Sequence, residues 1–65
     1  MTKKSPTAEQ AAIIKLARTK GYYNHEIAAY YGFNQGRIAE VNTGMRWPDV
    51  PAANDLPEDF PAKSA

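Results

Sequence analysis

Cysteine is absent from these 65 residues, which excludes a disulfide framework and any thiolate metal site. A single histidine, His25, makes a zinc centre built from this chain alone unexpected. No apolar run exceeds a few residues, so no membrane span is expected. Lys3 and Lys4 are not followed by an apolar stretch, so no secretory signal is expected. There is no phosphate-cradling glycine loop, and no serine or histidine stands in a setting that suggests a nucleophile. Glu26 follows His25, but consecutive helical residues point about 100° apart and form no dyad. A ligand cleft of roughly 300 Å³ is also hard to build from so short a chain. The expectation is a protein without enzymatic activity, cofactor, metal or small-molecule ligand. Lack of cysteine fits the cytoplasm.

What is present is one small domain at most. At this size stability depends on tight helix packing where no covalent staple exists. The formal net charge of +1 conceals an asymmetry. Residues 1–48 carry seven Lys/Arg against Glu9, Glu26 and Glu40, giving +4; residues 49–65 carry Lys63 against Asp49, Asp55, Glu58 and Asp59, giving −3. A basic body with an acidic tail is a common layout among nucleic-acid binders. A solvated basic face without any partner is the bland alternative.

Periodicity predicts three helices and an all-α fold. The first starts either with Ser5 as N-cap and Pro6 at the first helical position, or with Thr7 as cap and Gln10 closing a capping box. Ile13, Leu16 and Ala17 make its inner stripe, Ile14 lies on the flank, and Lys15 and Arg18 fall opposite. It stops near Lys20, because Gly21 suits the left-handed position after a helix. Of Tyr22 and Tyr23, one is expected to lid the core and the other to be exposed. Asn24 is expected to cap a second helix running to Tyr31, and Asn34 a third running from Gln35 to Asn42 or Thr43, with Gly44 as its stop. The expected core is Ile13, Leu16, Ala17, Ile27, Ala28, Tyr31, Phe33, Ile38 and Val41.

The centre of the chain, NHEIAAYYGFNQGRIAEVNTG over residues 24–44, is two short helices joined by a tight turn through Gly32 and Phe33. This stretch resembles the DNA-binding helix-turn-helix of bacterial and phage regulators, and of the small DNA-binding domains of invertases and resolvases. The resemblance rests on Ile27 followed by Ala28, on Gly32 between Tyr31 and Phe33, and on Ile38 and Val41 in the second helix. It covers about a third of the chain directly. It implies a compact three-helix domain over residues 7–51, acting in transcription regulation and binding double-stranded DNA, with a cytoplasmic, nucleoid-associated location.

In that arrangement the second helix of the motif enters the major groove with its first turn toward base edges. The candidate base contacts are Gln35, Gly36, Arg37, Ala39 and Glu40. Gln35 can pair bidentately with adenine, and Arg37 with guanine or a phosphate. Gly36, costly in a helix, would let the backbone approach DNA; otherwise it is a glycine tolerated in the first turn. Ala39 could meet a thymine methyl. Glu40 must accept from cytosine N4 or orient Arg37, since a bare carboxylate repels phosphates. Candidate backbone contacts are Asn24, His25, Tyr30, Asn34, Thr43 and Arg46, with Asn42 as a further donor. Lys3 and Lys4 belong to a basic arm at 1–6, expected to be disordered and able to reach an adjacent minor groove. For each residue an ordinary surface role is the alternative.

After Gly44, Trp47 is expected to pack back on the helices and extend the core, while Pro48 and Pro51 block further helix. Residues 52–65 show no period and read as a disordered acidic tail, removable with little effect on stability. One small reading unit makes few contacts, so specificity would call for a homodimer, an arm or tandem sites. The alternative function is a protein-interaction module on the same fold, accessory to a transcription or recombination complex, gripping its partner through Leu56 and Phe60 or exposed tyrosines.

Overall fold

Thr7, rather than Ser5, starts the first helix. Its hydroxyl accepts from the Gln10 amide at 3.2 Å, and its own amide donates to Gln10 Oε1 at 2.9 Å, closing the capping box. The computed structural model describes residues 6–61 and contains α1 (Ala8–Thr19), α2 (Asn24–Tyr31) and α3 (Gln35–Thr43). No strand occurs among the described residues. All three helix pairs are in contact, so the chain is an all-α three-helix domain.

The inward face of α1 differs from the expected one. Ala11, Ile14 and Ala17 are fully buried, whereas Ile13 and Leu16 are half-buried. Two alanines on either side of Ile14 let the neighbouring helices come close. Ile13 is turned toward the later chain, lining a cleft with Ala12, Tyr31, Ala53 and Pro57. The apolar surface of α1 is therefore wider than one stripe, because a further segment covers its flank. Lys15 is not a free cation opposite the core: its Nζ donates to the carbonyls of Trp47, at 2.7 Å, and Val50. At the end of α1, Gly21 has φ 95° and the Tyr22 amide reaches back to the Ala17 carbonyl at 3.0 Å. Tyr22 is buried as the core lid and Tyr23 is exposed, as expected of one from each pair position.

The N-cap of α2 is Tyr23, one residue before the expected Asn24. The Glu26 carboxylate satisfies the Tyr23 amide at 2.8 Å, so no Asn side chain is needed there. Asn24 instead accepts from Asn42 Nδ2 at 3.2 Å, tying the start of α2 to the last turn of α3. Gly32 ends α2 at φ 76°, with the amides of Gly32 and Phe33 both on the Ala28 carbonyl. Asn34 caps α3, its Oδ1 accepting from the Gly36 amide at 2.7 Å. Ile27, Ala28, Ile38 and Val41 join the α1 residues and Tyr22 in one core. Tyr31 and Phe33, expected inside it, are half-buried at its edge with their rings stacked 5.4 Å apart.

The segment after α3 departs most from expectation. Trp47 stays 42 % exposed and outside the core. Its indole N–H donates to the Pro6 carbonyl at 2.9 Å, and its backbone sits at φ 52°, an uncommon conformation for a bulky residue. The Lys15 bonds and a Val50 amide bond to the Trp47 carbonyl at 3.2 Å hold that turn in place. Residues 52–61, read as a disordered tail, lie against α1 and α2 although they form no regular element. The Ala53 amide donates to the Ala12 carbonyl at 3.0 Å, and Val50, Leu56 and Phe60 pack against the core. Phe60 fits between Tyr22, 5.0 Å away edge-on, and Tyr30, 4.5 Å away. The two tyrosines then hold the chain by their hydroxyls, Tyr22 on the Pro61 carbonyl and Tyr30 on Asp59 Oδ1, each at 2.7 Å. Pro6 is buried and so belongs to the fold rather than to a loose arm. The rest of the arm at 1–5, with Lys3 and Lys4, and the chain at 62–65 lie outside the described residues.

Candidate nucleic-acid interface

The third helix divides cleanly between its inner and outer faces. Ile38 and Val41, three apart, are held in the core, which forces Gln35, Gly36, Ala39, Glu40 and Thr43 toward the outside. Gln35, Gly36 and Thr43 are exposed, as is the cap Asn34, while Arg37, Ala39 and Glu40 are half-buried. Of the candidate base contacts, Gln35 and Gly36 are therefore the exposed ones. Gly36 also has a local reason to lack a side chain: a Cβ there would stand 3.2 Å from the capping Asn34 Oδ1.

Glu40 sits among cations. Arg46 Nε donates to its Oε1 at 2.5 Å, and Arg37 Nη1 lies 3.3 and 3.4 Å from its two oxygens. The hydrogen bond from Arg46, together with the charges of Arg46 and Arg37, holds the Glu40 carboxyl below the usual carboxylate range. It stays ionised on the outer side of α3, where both arginines screen it. Thr43 turns its hydroxyl to the Glu40 carbonyl at 3.3 Å.

The candidate backbone contacts are not all in one place. Asn24 and Asn42 are bonded to each other across the α2–α3 junction. The exposed His25 stacks on Tyr23 with ring centroids 5.6 Å apart. Tyr30 faces the 58–61 segment instead of open solvent, with its hydroxyl on Asp59 and its ring against Phe60. That bond to Asp59 pushes the Tyr30 hydroxyl up to about 12, so the group is engaged within the protein. Sequence reasoning missed the Asn24–Asn42 bridge and the exposure of Met45, at 77 %. The bridge had a signal only in hindsight of the turn geometry, because its partners are 18 positions apart.

An open cleft of about 430 Å³ lies elsewhere, lined by Glu9, Gln10, Ala12, Ile13, Tyr31, Ala53 and Pro57. The chain thus builds a hollow of a size that its length argued against, because the later segment raises a second wall. Gln10 in that lining is committed to the Thr7 cap, and Glu9 and Tyr31 bring the other polar groups there. Among the described residues, no three His, Cys, Asp or Glu side chains are grouped to hold a metal ion, and no helix is long and apolar enough to cross a membrane.

No family model matches this chain, and no curated protein or solved structure matches it either.

Proposed function

We propose that this chain is a small double-stranded-DNA-binding protein, a transcription regulator that inserts α3 into the major groove. The observation that carries the reading is the division of α3. Ile38 and Val41 are sealed in the core, while Gln35 and Gly36 are exposed, with Asn34 before them and half-buried Arg37 next along the helix. A short helix with a polar first turn, held by its apolar side on two other helices, has the shape and chemistry to meet base edges. Gln35 is the side chain best suited to base contact; Arg37, Arg46, Thr43 and His25 are suited to the phosphates.

The test is a mobility shift of the full chain on random duplex DNA at two salt concentrations, followed by selection of a preferred site. Binding that weakens steeply as salt rises, and that Arg37→Ala reduces, supports the proposal. Unchanged mobility at low salt would leave a protein-interaction module as the better reading. That alternative cannot rest on Leu56 and Phe60, which are turned onto the helices. It rests instead on the exposed Tyr23 and Met45, whose apolar surface is available to another protein.

A further inference from the structure

Glu40 is the most heavily bonded residue on the outer face of α3, and both of its ends act on the same neighbour. Its carboxylate accepts from Arg46 Nε at 2.5 Å and lies 3.3 and 3.4 Å from Arg37 Nη1. Its carbonyl accepts the amides of Met45 at 2.9 Å and Arg46 at 3.2 Å, and the Thr43 hydroxyl at 3.3 Å. Arg46 lies beyond the helix end, where a long side chain on a turn would otherwise sample many rotamers. Here it is fixed at backbone and guanidinium by one residue. Arg37, one turn earlier, is drawn to the same carboxylate. A carboxylate has about four acceptor sites, and these contacts occupy most of them. Its Oε1 accepts from both arginines, so the carboxylate is committed to them first.

We infer that Glu40 is a positioning residue rather than a reader of bases: it sets Arg37 and Arg46 side by side as a clamp for the phosphate backbone of nucleic acid. A guanidinium offers five N–H donors in a rigid fork. Arg46 uses Nε on Glu40 and Arg37 uses Nη1, so both keep further donors for an oxyanion. The cluster carries one net positive charge, from two guanidinium groups and one carboxylate. Arginine forks match phosphate oxygens bidentately, and orienting them in advance lowers the ordering cost of binding. The inference rests on the DNA-binding reading above and adds a mechanism for register to it. A clamp locked to α3 fixes how deep and at what angle the helix enters the groove, which sharpens discrimination made by Gln35 without touching a base itself.

The discriminating variant is Glu40→Gln, which keeps the shape and removes the charge. A simple electrostatic account predicts tighter binding everywhere, since a negative charge leaves the DNA-facing side. The clamp predicts the opposite on the preferred site. Using the full chain, affinity is measured across a salt series on the duplex recovered by selection and on an unrelated duplex, with helicity and melting as fold controls. The expected result is at least a fivefold loss on the selected duplex, with the unrelated duplex unchanged or tighter, and helicity retained. Glu40→Asp, which keeps the charge on a shorter arm, recovers part of the loss. In the Glu40→Gln background, Arg46→Ala adds little further loss. Equal tightening on both duplexes, no change on either, or a switched preference at a single base pair overturns the clamp while leaving DNA binding intact. A wild-type chain that binds no duplex at all removes the DNA-binding reading and the clamp together.

Discussion

The segment from Trp47 to Pro61 and the outer face of α3 are both rich in polar groups, and the protein uses them in opposite ways. In the segment, polar and aromatic groups reach across to other elements: Tyr22 to Pro61, Tyr30 to Asp59, Lys15 to Trp47 and Val50, Ala53 to Ala12. On α3, the charged groups bond within a cluster on one surface, Arg37 and Arg46 on Glu40, while Gln35 and Gly36 remain open. A polar group whose partner lies in a distant element fastens the fold. One partnered only inside a surface cluster stays within reach of a ligand. On this criterion the acidic segment is a structural strap, and the outer face of α3 is the surface left open for the proposed contact with DNA.

The largest effect that would test this division comes from removing the strap beyond Pro51. Ending the chain after Pro51 takes away half-buried Leu56 and Phe60, and half the burial energy of two such side chains is about 2 kcal/mol. Urea unfolding should therefore show a loss of about 2–3 kcal/mol, with Phe60→Ala alone giving about half. The same truncation removes Asp55, Glu58 and Asp59, so duplex binding at a temperature where the short chain is folded should hold or tighten. A melting curve indifferent to the truncation would abolish the contrast, returning this segment to the loose tail its composition suggests.

Arg37→Ala probes the other side of the comparison. An exposed or half-exposed ion pair contributes little, so stability should move by less than about 1 kcal/mol. Duplex affinity should fall about tenfold, equivalent to about 1.4 kcal/mol, with the salt slope reduced by about one unit. If Arg37→Ala instead unfolds the protein and leaves binding of the folded fraction untouched, α3's outer face is structural after all.

How much of this was legible beforehand follows the same division. Local chemistry carried the helices: Thr7 with Gln10, Asn34, Gly32 and Gly44 each act over a few residues, and each stands where its side chain or its φ requires. The inner side of α3 was equally plain, since Ile38 and Val41 have no other place to go. The face of α1 was not. Choosing Ile13 and Leu16 over Ile14 assumed that one stripe of the helix is covered, and the covering of its flank comes from residues some 40 positions later. Asn24 lost its capping role because Glu26 supplied the acceptor and Asn42 claimed the side chain. The strap was illegible because nothing periodic marks it; single anchors such as Phe60 between two tyrosines leave no pattern. Of the candidate site, the open first turn of α3 could be read directly, whereas the convergence of Arg46 on Glu40 depends on the turn after Gly44.

Alkaline titration sharpens the comparison by a smaller effect. Tyr30 is pushed from 10.0 up to about 12, first by its hydrogen bond to Asp59. A group whose folded pKa lies above its unfolded one stabilises the fold fully below the unfolded value and loses that contribution as pH rises through the folded value. The Tyr30–Asp59 link should thus be intact below pH 10.0 and be lost toward about 12. Tyrosinate absorbance should show the Tyr30 hydroxyl ionising late, and Asp59→Asn should bring it earlier. Tyr31 is also raised, chiefly by burial, so the shift between wild type and Asp59→Asn is the quantity to read. Identical titrations would mean that Asp59 is not seated on Tyr30 in solution.

Gly36→Ala carries the smallest expected change in stability and decides between two accounts of one residue. Alanine improves a helix interior by about 1 kcal/mol over glycine, though less in a first turn. Against this, the new Cβ would stand 3.2 Å from Asn34 Oδ1 and press on a cap whose complete loss costs about 1 kcal/mol. The two terms nearly cancel, so the melting temperature should barely move. Duplex affinity then separates the accounts, because the cap cares only about room beside Asn34, whereas close approach of the helix to DNA cares about room on the outside. A severalfold loss of binding at unchanged stability assigns the glycine to the interface. Binding that holds while stability drops by about 1 kcal/mol assigns it to the Asn34 cap, and would place the first turn of α3 with the strap among groups that serve the fold.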